Sequence, residues 1–271
     1  MLTPLLRQTR TSWQIPQPSL RQASVAVIAA AAALPGYAAE EPTSTDDGGG
    51  SWQIAPYLYG VSLKGKLGLA GTSVAVDVKP EDLAGNINAG AMGYMRWFNR
   101  DQFAYVEALG VSYADDAFDQ FFNQPVKSTI ALTEVGYGRN FYAETVAPAT
   151  GVMTISPYVG VRYAQLTVKV PNPQRPLSEK ESWLDPVLGV IIEAPLLGPV
   201  NYAIKADGAG FGLGRDHYLS LTAALHYRHN EDWSVVGGYR VARFDAEPGG
   251  ANNVKMQLRA AGPEVGLVYT F

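Results

Sequence analysis

Few side chains in this sequence have the types and spacing that enzyme chemistry needs. The candidates are Asp115, Asp116, Asp216, His217, Ser220 and His226. Paired acid and histidine groups can activate water or a serine, provided that both reach one point. Neighbouring residues of a β-strand point to opposite faces, so adjacent pairs are poorly placed for this. Because the sequence also has no Gly-rich phosphate loop, metal-spaced His cluster or Gly-x-Ser-x-Gly motif, we expect no catalytic residue, metal or cofactor.

Ten other charged residues stand singly within apolar or small-residue stretches, five of each sign. They are Arg96, Glu134, Arg162, Asp185, Glu193, Lys205, Asp207, Arg228, Arg240 and Glu264. If these stretches are strands whose polar side is enclosed, unpaired charges there would be costly, and the two signs should pair. We predict a charge network inside a lumen, where the same residues could form a selectivity constriction.

The C-terminal stretch shows which element would carry such charges. From Ala261 to Phe271, apolar residues alternate with mostly small or polar ones. Period two over this length predicts a β-strand. A tilted strand of about 9–11 residues crosses a bilayer, with one file facing lipid and the other facing a lumen.

Aromatic and β-branched segments of this kind recur from Trp52 onward. We predict ten strands, near 52–65, 87–98, 102–114, 127–142, 153–169, 182–194, 200–208, 217–229, 232–244 and 254–271. Their connections are alternately short and long, which is typical of outer-membrane barrels with the short side periplasmic. The predicted fold is an all-β, antiparallel, up-and-down transmembrane barrel. Residues 72–78 could add a hairpin arm; the count becomes twelve if the arm crosses the membrane, and eight if two weak strands fail.

One predicted strand does not fit the rule that its apolar alternate residues face lipid and its polar ones face the lumen. In 102–114, Glu107 shares its file with Phe103, Tyr105 and Leu109. We therefore predict a bulge there or a misplaced boundary. A soluble lipocalin-like barrel, with its apolar file inside, is the alternative for the middle of the chain.

The N-terminus predicts export. Residues 1–39 contain three of the 21 basic residues, no acid, and an apolar run that ends at Leu34. This pattern predicts a signal peptide cleaved after Ala38 or Ala39. Residues 40–51 read as a periplasmic linker, and 52–271 as the barrel. The mature chain has a net charge near −7, which argues against nucleic acid as a partner.

Several motifs resemble those of small Gram-negative outer-membrane β-barrel proteins, including porin-like ones: 136–138, 159–163, 237–240 and the closing 265–271. The resemblance implies that Tyr269 and Phe271 are read by the barrel-assembly machinery. We also expect a monomer in contact with outer-membrane lipid and lipopolysaccharide. Omptin-type proteases and lipid A deacylases share this architecture. Asp115, Asp116, Asp216 and His217 resemble the rim groups of the proteases, and Ser220 and His226 are the candidates for the deacylase chemistry.

The expected function is non-enzymatic. A ten-stranded barrel is only modestly wider than an eight-stranded one, whose interior side chains fill, so a plugged lumen is expected. Envelope integrity or a surface interaction would then be its role. A narrow channel for small solutes is the second hypothesis, and a barrel enzyme the third.

Overall fold

The structure is a computed structural model that describes residues 50–69, 72–79, 87–115, 126–145, 151–170, 177–211, 216–246 and 255–271. The predicted signal peptide and nearly all of the predicted linker lie outside these residues. Within the described part of the chain, no helix is long and apolar enough to cross a membrane.

The described residues form thirteen β-strands. They are β1 (Ser51–Tyr59), β2 (Ser62–Leu69), β3 (Thr72–Val78), β4 (Ile87–Phe98), β5 (Gln102–Asp115), β6 (Val126–Arg139), β7 (Phe141–Thr145), β8 (Gly151–Val170), β9 (Leu177–Leu197), β10 (Val200–Ala209), β11 (Asp216–Arg228), β12 (Trp233–Ala246) and β13 (Lys255–Thr270).

Ten of these strands form a closed wall. Each pairs antiparallel with the next in the order β1, β4, β5, β6, β8, β9, β10, β11, β12, β13, and β1 pairs with β13 to close the circle. The predicted ten-stranded antiparallel barrel is therefore confirmed. If registered partners are followed around the wall from Gln53 of β1, the path returns at Gly65 of β2, which continues β1, twelve residues further along the chain. This stagger is what makes the strands tilt.

The other three strands lengthen the wall without adding crossings. β2 continues β1 along β13 in the same register, and β3 pairs with β2 as a hairpin arm. β7 continues β6 along β8 beyond the break at Asn140. The arm predicted at 72–78 thus extends the outer end of the barrel, and the count stays at ten.

The short turns, which are predicted to face the periplasm, are tight because asparagine side chains close them. The Asn99 side-chain oxygen accepts two backbone N–H bonds, each 3.0 Å long, from the residues two and three positions ahead. Asn230 does the same at 3.0 and 2.7 Å. This is Asx-turn chemistry. Gly198, in the two-residue turn between β9 and β10, has φ 53°, a conformation that favours glycine.

β5 corrects one prediction. Phe103, Tyr105 and Glu107 are all buried in the lumen, and β5 pairs with β4 without a register shift from Phe103 to Ser112. The predicted bulge at Glu107 is wrong, because the aromatic file of this strand faces inward. The neighbouring strand provides the room: a Cβ at Gly136 would lie 2.3 Å from Cε1 of Tyr105, and one at Gly138 would lie 2.5 Å from Cε1 of Phe103. Glycine on one strand thus makes space for an aromatic ring on the next.

The outward face of the wall is apolar over most of its height. On β11, Leu219, Leu221 and Leu225 are 65, 52 and 51% exposed, while the alternating Thr222 and His226 are 2 and 1% exposed. Alternation of this kind also runs along β8, β12 and β13. An exposed leucine file is unfavourable in water and suited to lipid.

Aromatic residues mark the periplasmic edge of the apolar face. The ring centroids of Trp233 and Tyr269 lie 4.7 Å apart, and those of Tyr269 and Phe271 lie 5.7 Å apart. Phe271 also joins the two ends of the barrel, because its backbone exchanges hydrogen bonds of 2.8 and 2.9 Å with Trp52. Interfacial aromatic girdles are a property of membrane barrels.

Candidate functional site

A layer of paired charges crosses the lumen at mid-height. Its starting point is an unfavourable juxtaposition, since Glu107 of β5 lies directly opposite Glu134 of β6. Like charges in register destabilise a sheet. Lys205, from β10, resolves the conflict: its Nζ lies 3.0 Å from Oε2 of Glu107 and 3.6 Å from Oε1 of Glu134. One ammonium therefore neutralises two facing carboxylates.

Arg240 of β12 holds the other side of Glu107. Its Nη1 lies 3.0 Å from Oε1 of Glu107, and its Nε lies 3.0 Å from Oε2 of Glu264. The same Nε donates a 3.2 Å hydrogen bond to Oγ1 of Thr222, and the Tyr57 hydroxyl donates one of 2.7 Å to Glu107. Glu107 thus receives three donors from three strands, which fixes its orientation.

Arg162 of β8 completes the layer. Its Nε donates a 2.8 Å hydrogen bond to Glu134, and its Nη2 lies 3.0 Å from Oδ1 of Asp207. The guanidinium carbon lies 3.6 Å from the centroid of the Tyr218 ring, in a cation–π contact. Tyr105 donates its hydroxyl hydrogen to Glu134 from the opposite side.

These contacts form one continuous chain across the barrel: Asp207, Arg162, Glu134, Lys205, Glu107, Arg240 and Glu264. The seven side chains come from β5, β6, β8, β10, β12 and β13, and each is at most 11% exposed. Removing one partner from such a pair leaves an uncompensated buried charge, which costs about 3–5 kcal/mol. The layer therefore ties six strands together as well as occupying the lumen.

The lumen below this layer is packed. Arg96 pairs with Glu193 at 3.7 Å and stacks over the ring of Phe103, with 4.6 Å between the guanidinium carbon and the centroid. Around them, Ile191 and Val236 are 0% exposed. The periplasmic half of the interior is thus filled by aromatic, aliphatic and paired charged side chains.

The predicted inward residues can now be placed. Nine of the ten are buried, with Asp185 in register opposite Arg162. Arg228 is the exception: it lies half-exposed at the periplasmic end of β11, and it makes no ion pair with the described residues. The prediction missed Glu107, so the buried set has four bases and six acids instead of five of each. The glycines opposite its strand, at 136 and 138, were the signal that could have revealed it.

Of the six candidate catalytic groups, His217, Ser220 and His226 have side chains among those that the structure describes. His217 is exposed, and Asp116 lies outside the described residues. Ser220 and His226 both face inward, but six residues of strand separate them by roughly 20 Å. Within the described part of the chain, no group of three or more His, Asp or Glu side chains is arranged to hold a metal ion.

The outward leucine and valine file needs hydrocarbon as its solvent, while the interior holds ionised side chains. A closed antiparallel wall with this polarity is a bacterial outer-membrane β-barrel. No family model matches the sequence, and no curated protein matches it either.

Three solved structures are similar to the chain at low identity. Neisserial surface protein A is 13% identical, covers 82% of this chain and 99% of its own, and has a TM-score of 0.33. Ail of Yersinia pestis is 9% identical with the same coverages and a TM-score of 0.36. The translocator domain of the autotransporter NalP from Neisseria meningitidis is 15% identical, covers 84 and 90%, and has a TM-score of 0.34. The class assignment therefore depends on the strand pairing and the lipid-facing band of this chain itself.

Proposed function

We propose that this chain is a non-enzymatic outer-membrane protein whose lumen is plugged, and that it serves envelope integrity or a surface interaction. The observation that supports this is the continuous layer of seven paired charges across the lumen. An open pore would need a water-filled path through this layer. Opening one would separate buried ion pairs, which is strongly unfavourable.

The proposal includes the route to the membrane. Export by the N-terminal signal peptide, cleaved near Ala38 or Ala39, would deliver the barrel to the periplasm. Tyr269 and Phe271 on the last strand would be read by the barrel-assembly machinery. The inserted protein would be a monomer in contact with outer-membrane lipid and lipopolysaccharide.

Planar-bilayer conductance of the refolded mature protein tests whether the charged layer closes the lumen to ions. Heat-dependent gel mobility shows that the protein used is folded. We expect a folded barrel that carries no steady current. We also expect Arg240→Ala to lower the unfolding midpoint in urea, because Glu107 and Glu264 lose their shared partner. Arg243→Ala is the matched control, since Arg243 is exposed three residues further along the same strand.

The opposite result would favour the narrow channel. A steady current through wild-type protein, with an ion preference that changes in Arg240→Ala while the unfolding midpoint does not, would make the charged layer a filter. The excess of two acids over bases among the buried charges gives such a channel a preference for cations.

A further inference from the structure

The polarity of the wall inverts towards the outer end of the strands. Across the membrane band, apolar residues face out and charged residues face in. Towards the outer end, several outward positions are polar and exposed, as at Lys64, Thr133, Arg243 and Arg259, while Leu219, in register opposite Arg243, is still apolar. Where their side chains are described, the alternating inward positions there are apolar. The outer part of the barrel therefore has the polarity of a water-soluble barrel, in which the interior is the apolar side.

The inward apolar residues above the charged layer come from strands all around the wall. They include Leu63, Leu109, Leu132, Trp183, Phe244 and Leu258. All six are half-buried, unlike the fully buried residues such as Ile191 and Val236 below the layer. Their apolar surface thus remains partly accessible from within the lumen. We call this region the outer vestibule.

The charged layer forms the floor of the outer vestibule. Tyr218 covers Arg162 there and packs edge-on against Phe244, with 4.8 Å between ring centroids. Tyr59 lies beside Arg240, with 5.7 Å between the guanidinium carbon and the ring centroid. The chain of seven charges beneath these rings holds four acids against three bases. An anionic head group would therefore be disfavoured at the floor.

From this arrangement we propose that the outer vestibule binds a neutral, apolar small molecule, taken from the extracellular side and held above the charged layer. Burial of apolar surface supplies the affinity. Aromatic rings at the floor give the molecule a flat face to pack on. This inference goes beyond a plugged barrel and does not depend on it, because the vestibule lies above the layer whether or not ions pass.

Energy transfer from Trp183 tests the site directly. The neutral apolar fluorophore N-phenyl-1-naphthylamine would be titrated into the mature protein in lipid nanodiscs, with empty nanodiscs as the blank. The other tryptophans of the barrel, Trp52, Trp97 and Trp233, lie at its periplasmic edge, so they report fluorophore dissolved in lipid. We expect saturable transfer that disappears in Trp183→Phe. Transfer that is unchanged in Trp183→Phe, or that never saturates, would overturn the proposal.

A matched pair of variants tests the lining. Leu132→Asn places an amide inside the vestibule and should weaken binding about tenfold, the effect of one lost apolar contact of this size. Thr133→Asn introduces the same amide one residue along on the outward face and should leave the dissociation constant within about twofold of wild type. Equal effects of both substitutions would contradict an internal site. Both variants would be required to show the heat-dependent gel mobility of wild type.

Displacement separates neutral from charged ligands. Dodecanol and dodecanoate at pH 8 have the same chain length and differ in head-group charge. We expect dodecanol to displace the fluorophore at a concentration at least about tenfold lower than dodecanoate. Equal or stronger displacement by dodecanoate would overturn the assignment of a neutral ligand, and failure of both would overturn the site.

Discussion

Glu107 shows how much one side chain can organise inside a narrow lumen. It accepts contacts from Lys205, Arg240 and Tyr57, which come from three different strands. The inward residues that precede it on the strand, Phe103 and Tyr105, are aromatic, and its charge is tolerated beside them because two cations compensate it. The layer is therefore a set of shared partners, in which no ion pair is independent of the next.

Lys205→Met tests this sharing at the residue scale. The thioether fills much of the same volume, but it leaves Glu107 and Glu134 facing each other in register. We expect the free energy of unfolding to fall by about 3–5 kcal/mol, the cost of an uncompensated buried charge. Urea unfolding of the barrel in lipid vesicles, followed by tryptophan fluorescence, measures it.

Lys180→Met is the control for that experiment. Lys180 is exposed on the outer part of β9, so the same chemical change there should leave stability within about 0.5 kcal/mol. Equal urea unfolding midpoints for Lys205→Met and Lys180→Met would show that Lys205 does not stabilise the facing carboxylates of Glu107 and Glu134.

At the scale of elements, pairing between an inward aromatic ring and a glycine on the adjacent strand shapes the lumen. Tyr105 packs over Gly136, and Phe103 over Gly138, on the neighbouring β6. Tyr158 packs over Gly189 of β9 in the same way, where an added Cβ would lie 2.3 Å from its ring. The ring-and-glycine pattern occurs between β5 and β6 and again between β8 and β9, and it makes room for aromatic rings inside a narrow lumen.

Gly136→Ala should therefore destabilise the barrel by about 1–3 kcal/mol, as overpacking does. The Tyr105 ring would have to move, and its hydroxyl would lose its position beside Glu134. Gly237→Ala is the control, since no atom lies within 4 Å of a Cβ added there. The urea unfolding midpoints of the two variants are compared. A larger decrease of the midpoint for Gly237→Ala than for Gly136→Ala would contradict the packing of Tyr105 against Gly136.

Strand positions were predictable because each strand is bounded by turn chemistry and carries period-two alternation. The ten predicted strands match the wall strands closely, and 87–98 is reproduced without change. The direction of β5 was not predictable from its own residues, because aromatics suit either face of a barrel. Only its register against Gly136 and Gly138 decides which way they point. The pairing of Lys205 with Glu107 likewise spans 98 residues of sequence, which no local pattern encodes.

For the molecule as a whole, closure depends on the pairing of the first and last strands of the wall. Phe271 meets Trp52 through backbone hydrogen bonds, while its side chain lies exposed at the periplasmic edge. The backbone contacts survive truncation of the side chain. The proposed recognition of the aromatic ring during assembly is therefore separable from the stability of the finished barrel.

Phe271→Ala should slow assembly and leave the folded state nearly unchanged. We expect insertion by reconstituted barrel-assembly machinery to be several-fold slower than for wild type. The urea midpoint of the refolded protein should shift by no more than about 1 kcal/mol, as for an exposed side chain. A large loss of stability with a normal insertion rate would reverse the assigned role of this residue. Leu197→Ala, an exposed apolar truncation at the same side of the barrel, is the control for both measurements.

The polar outward residues of the outer wall also determine how deeply the barrel sits in the membrane. Lys64, Arg243 and Arg259 point outward just above the apolar band, on neighbouring strands joined in register. Each would cost about 2–4 kcal/mol at the bilayer midplane and almost nothing at the interface. The aromatic rim formed with Phe271 resists displacement in the other direction. The barrel is therefore held at one height in the membrane, with the mouth of its outer vestibule kept clear of the lipid.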